Sequence, residues 1–154
     1  LGDVYKRQIY DFCHGCLTCG SEAIHNRNII MRNIRINNGY NLLWLKMRSD
    51  TPQLYEHILI KNVTGKVSSF ININPWTQFS NIKNEASLKN GSDKPPILLS
   101  YINNITMQDC TCECDAYYNV KEDPSQYLIN NIQLIDNAIT LMDNNDLQLH
   151  NNAE

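Results

Sequence analysis

Four stretches of the chain share one pattern: Asn or His, then Ile, any residue, a large apolar residue, any residue, and Asn or Asp. They are Asn28-Ile-Ile-Met-Arg-Asn33, His57-Ile-Leu-Ile-Lys-Asn62, Asn104-Ile-Thr-Met-Gln-Asp109 and Asn131-Ile-Gln-Leu-Ile-Asp136. Their starts lie 29, 47 and 27 residues apart. Self-similarity at such a period marks a solenoid, whose coils bury their apolar faces only against one another. Each copy is strand-sized, and no helical periodicity is sustained, because Asn, Gly and Pro break every candidate run. The expected fold is therefore all-β, a parallel β-helix with coils about 4.8 Å apart. The wide middle spacing predicts one coil plus a polar insertion near Thr77–Pro96, which holds Pro95-Pro96. Asparagines at the bends are expected to point inward and stack as hydrogen-bonded ladders.

Each repeat strand is followed by a second one: Leu43-Trp-Leu-Lys-Met47, Phe70-Ile-Asn-Ile-Asn74 and Ala116-Tyr-Tyr-Asn-Val120. Cys16–Ser21 takes the same place one coil earlier. Strand alternation assigns faces. Leu17, Cys19, Leu43, Leu45, Met47, Ile71 and Ile73 point in. Thr18, Gly20, Trp44, Lys46, Arg48, Asn72 and Asn74 point out, side by side on one face. An outward indole beside two cations fits either a solvated surface or a groove for an anionic polymer, since indole stacks on sugar rings and Lys and Arg take carboxylates.

The chain has 154 residues, enough for one domain with a real core. A net charge of −3 with no basic run argues against a nucleic-acid partner. No apolar run is long enough to span a membrane as a helix. Six cysteines form two clusters, Cys13/Cys16/Cys19 and Cys110/Cys112/Cys114. Cys-x-x-Cys is zinc-ligand spacing, but no second half-site completes it. Alternation instead puts Cys110, Cys112 and Cys114 on one strand face, where free Cys is commonly buried. No metal and no cofactor are expected. Residues 1–8, without an initiator Met, read as a cloning or assembly scar or a truncated start; residues 9–142 as β-helix; residues 143–154 as a polar tail.

The most chemically loaded stretch is Cys13-His14-Gly15-Cys16-Leu17-Thr18-Cys19-Gly20-Ser21-Glu22. It resembles the Gly-His-Gly and Gly-Ser-Glu segment of glycoside hydrolase family 28, the polygalacturonases. About one coil later, Leu45-Lys46 falls where that family carries Arg-Ile-Lys. Leu43-Trp-Leu-Lys-Met-Arg-Ser-Asp-Thr-Pro-Gln53 and Pro75-Trp-Thr-Gln-Phe79 look like the bacterial pectin-degrading branch. The resemblance spans roughly Tyr10 to Leu141.

That resemblance implies a right-handed parallel β-helix, of which this chain holds the C-terminal coils. It implies inverting hydrolysis of α-1,4-galacturonosyl bonds in pectin, which needs one carboxyl as acid and another as base. His14 matches the family's accessory catalytic histidine, and Lys46 the lysine that holds the substrate carboxylate. Cys13 replaces the first Gly of the motif, and Trp44 stands at the family Arg. Arg48, further along the same face, is expected to supply the missing charge, so His14, Lys46, Arg48 and Trp44 are the candidate site residues. The family's Asn-Thr-Asp and Asp-Asp motifs have no counterpart here, so the chain alone is expected to be inactive. The implied partner is polygalacturonate or oligogalacturonides. The full-length protein is expected to be a monomer, secreted or periplasmic. Two other readings compete: a non-catalytic β-helix carbohydrate-binding module, and a cysteine–metal protein.

Overall fold

The computed structural model describes residues 7–49, 51–76 and 99–142, with side chains from Asp11 onward. The Thr77–Pro96 insertion, the 143–154 tail and most of the 1–8 start lie outside the described residues. Seven strands and no helix are present among the described residues: β1 (Arg7–Cys19), β2 (His25–Met47), β3 (Leu54–Pro75), β4 (Ser100–Gln108), β5 (Thr111–Val120), β6 (Tyr127–Ile135) and β7 (Ala138–Leu141). All pair in parallel. β3 pairs with both β4 and β5, and these lead on to β6 and β7. A coil that is one bent strand in β2 or β3 is thus two strands further along. The chain is a parallel β-helix of about four turns.

The repeat pattern now has a stereochemical reason. All eight residues that flank the four copies have positive φ, between 49° and 65°. Asn, Asp and His enter this left-handed region more readily than other side chains. The chain therefore turns at both ends of each four-residue stretch, producing a flat first face. There Ile29, Ile58, Ile105 and Ile132 are in register, as are Met31, Ile60, Met107 and Leu134.

Between this face and the expected second strand lies another short face: Ile34–Ile36 on Val63–Gly65, which lies in turn on Thr111–Cys112. The two-strand coil expected from sequence is thus a three-faced coil. The extra face escapes pattern reading because it is only two or three residues long. The third face has the register that alternation requires: Leu17 on Leu43, Leu43 on Ile71, Cys19 on Leu45 and Leu45 on Ile73. Leu43, Leu45, Met47, Ile71 and Ile73 are fully buried.

Asparagine ladders form, with a corrected direction. At the corners, the Asn62 amide donates to Asn33 Oδ1 at 2.8 Å and that of Asn131 to Asn104 Oδ1 at 2.9 Å, both exposed. An interior of Ile, Leu and Met offers such amides no partner, so they lie outside it. The buried ladder is on the third face. Asn72 donates to Asn41 Oδ1 at 3.0 Å, and Asn119 to Asn72 Oδ1 at 3.3 Å. Asn41, fully buried, donates in turn to the His14 carbonyl at 2.9 Å. Replacing Asn41 by Leu leaves that carbonyl and the Asn72 amide without these partners. We expect Asn41→Leu to lower stability by about 2 kcal/mol, read from the urea midpoint at unchanged m-value.

Candidate functional site

The site is built on the outward positions of the third face. Register places Thr18 beside Trp44, Trp44 beside Asn72 and Lys46 beside Asn74. His14 reaches this face through an irregularity in β1. Phe12 pairs with Gly39 and Gly15 with Asn41, so β1 carries one extra residue across Cys13–His14. A bulge of this kind leaves a residue out of the ladder and re-aims its side chain. His14 is exposed, and its ring centroid lies 6.5 Å from that of Trp44 at 47°. Its Nδ1 is 3.2 Å from Cys13 Sγ.

Trp44 points outward but is only 8% exposed. Two neighbours cover it. Trp76 meets it edge to face, with centroids 5.3 Å apart at 87°. The Lys46 ammonium lies 4.3 Å from the Trp44 centroid and 4.2 Å from that of Trp76. Trp44 Nε1 donates to Asn74 Oδ1 at 2.8 Å, which fixes the indole. The Trp76 backbone N–H donates to the Met47 carbonyl at 2.8 Å and anchors the second ring. Each cation–π contact is worth about 0.5–1 kcal/mol at an exposed site and more when desolvated. Lys46 is therefore a cation held in one place, with His14 at the edge of the same indole cluster. Trp44 is a wall for Lys46 more than an open platform for a sugar ring.

Three of the four residues marked from sequence, His14, Trp44 and Lys46, come together here. Arg48 lies one residue past the end of β2, where its backbone N–H donates to Gln53 Oε1 at 2.8 Å. Trp76 and Asn74 complete the cluster. Asn74 is recoverable from sequence as the register neighbour of Lys46. Trp76 follows the last residue of β3, beyond the reach of alternation.

Four of the six cysteines are core residues. Cys110, Cys112 and Cys114 are buried, as is Cys19, while Cys13 is exposed. Burial pushes the Cys16 and Cys19 thiols up to about 11 and that of Cys112 up to about 12. Among the described residues, no group of three or more His, Cys, Asp or Glu is placed to share a metal ion. Thiols with raised pKa values are poor nucleophiles and poor ligands. In the folded protein at pH 8, we expect iodoacetamide to modify Cys13 and to spare the other five until denaturant is added; mass spectrometry of the alkylated chain checks this. These thiols also set an alkaline limit. They ionise near pH 9 when unfolded and only near 11 to 12 when folded, so above pH 9 the unfolded state binds fewer protons and stability falls. The Tyr55 hydroxyl, raised by burial, acts in the same direction. The melting temperature should decline from pH 9 upward, fastest between 9 and 11.

No family model and no curated protein matches the chain.

Proposed function

We propose that this β-helix binds an acidic polysaccharide of the uronate type on its third face, as the substrate-holding part of a polygalacturonase-like glycoside hydrolase. Lys46 pairs with a substrate carboxylate, and His14 stands beside the reacting sugar as an accessory catalytic group. The observation that carries this reading is the Lys46 ammonium, held 4.3 and 4.2 Å from two indoles with His14 at their edge. An ammonium fixed by ring contacts gives up little motional freedom when it meets an anion, and a charge-assisted hydrogen bond then forms at low entropic cost. The chain contains no Asp-Asp or Asn-Thr-Asp motif. The acid and base of inverting hydrolysis are therefore assigned to none of its residues, and the role proposed for the chain itself is binding and positioning.

A fluorescence titration tests this with a built-in reporter. The two tryptophans of the chain, Trp44 and Trp76, both belong to the proposed site. Titration with oligogalacturonate should shift or quench their emission saturably, and fully methyl-esterified oligomer should not. Unchanged emission up to millimolar oligogalacturonate would remove the proposal. Reducing-sugar release under the same conditions separates the hydrolase reading from a purely binding module.

A further inference from the structure

A second feature lies on the corner between the second and third faces. Ile36 pairs with Gly65 and Gly39 with Val67, so β2 carries one residue more than β3 at this corner. The extra residue is left out of the ladder and bends the strand locally. Beside it lies an open groove of about 670 Å3 lined by residues of β2, β3, β5 and β7. Ile36, Gly65 and Cys112 line its middle. Only glycine fits at 65: its φ is +137°, and a Cβ would lie 1.9 Å from the Ile36 carbonyl oxygen. The walls carry Arg35, Asn37, Thr64, Lys66, Thr111 and Glu113, with Thr140 at the far end.

The lining specifies a ligand class. Arg35 and Lys66 are exposed, and neither forms an ion pair among the described residues. Two free cations favour an oxyanion. Thr64 and Thr111 are in register, so their hydroxyls repeat at the coil spacing of about 4.8 Å. Asn37, whose Nδ2 donates to Asp11 Oδ1 at 3.4 Å, and Glu113 offer side-chain oxygens as acceptors for hydroxyls. No aromatic ring lines the groove, so it offers no stacking surface for a neutral sugar. Four stacked strands span three coil steps, about 14 Å, the reach of a short linear chain.

We infer that this groove is a second binding site, distinct from the His14–Lys46 cluster, for an acidic oligosaccharide lying across the coils. Its carboxylates meet Arg35 and Lys66, and its hydroxyls meet the threonines, Asn37 and Glu113. The location stands on the groove itself; the choice of a uronate rests on the function proposed above. Glu113 is the register neighbour of Lys66 and competes with an incoming anion for it. Removing that charge should therefore tighten binding.

Affinity electrophoresis in gels containing polygalacturonate, alginate or neutral dextran tests this on the whole chain. Arg35→Gln/Lys66→Gln alters only exposed side chains and should fold normally, which circular dichroism checks. Read in a Lys46→Met background, which silences the third-face site, the double variant should bind polygalacturonate at least tenfold more weakly than Lys46→Met alone, and E113Q two- to fivefold more tightly. In the Lys46→Met background, unchanged retardation on adding R35Q/K66Q, or equal retardation in dextran, overturns the groove. Retardation by alginate alone that depends on Arg35 and Lys66 keeps the groove and removes the polygalacturonate reading. Retardation by neither acidic gel overturns both.

Discussion

Gly65→Val is expected to cost about 3 kcal/mol or more, combining left-handed-region strain with a backbone clash. At φ +137° a β-branched residue is a steric outlier. Its Cβ would meet the Ile36 carbonyl oxygen at 1.9 Å and carbon at 2.7 Å, and both belong to the backbone of the neighbouring coil. A flexible side chain could move aside, but a ladder carbonyl cannot move without breaking the pairing of Ile36 with Gly65. Because each coil is held mainly by its neighbours, damage at one interface is not shared across the stack. Urea unfolding should show a lower midpoint, and amide exchange should speed most in β2 and β3. A midpoint within 1 kcal/mol of wild type would mean that the corner is looser than this geometry requires.

Lys46→Met is the second large effect. Methionine keeps the length of the side chain and packs well against aromatic rings, so Trp44 and Trp76 both retain cover at this position. The charge alone is lost. Affinity for oligogalacturonate at this site, read from the tryptophan emission, should fall at least tenfold, about 1.4 kcal/mol, with little change in melting temperature. Lys46→Arg should recover part of the loss, since a guanidinium also stacks on indole. Unchanged affinity in Lys46→Met would take the carboxylate contact away from this residue.

The fold was legible because its corners demand a rare backbone conformation. Few residue types tolerate it, so Asn28, Asn33, His57, Asn62, Asn104, Asp109, Asn131 and Asp136 punctuate the chain at the coil period. Alternation then placed Leu43, Leu45 and Met47 inside correctly, because a strand buried on one face leaves no other choice. The second face was not legible, since segments such as Thr64-Gly65 are too short to carry a period.

The site was legible in part for the same reason. Trp44 and Lys46 alternate on one strand, and coil register brings His14 beside them. What alternation could not supply is the cover over Trp44. That cover depends on Trp76, which lies past the end of β3, and on the rotamer of Lys46. It changes the indole from a stacking platform into a clamp on a cation. The buried Asn41–Asn72 pair was equally invisible, because its partners lie in different coils.

The most direct measurement is backbone amide shift mapping of the folded chain during titration with oligogalacturonate. Binding at the Lys46 cluster predicts saturable shifts on the third face, at Thr18, Trp44, Lys46 and Asn72, with the Trp44 and Trp76 indole N–H signals moving in parallel. Shifts confined to the first face, or none at saturating ligand, would contradict it.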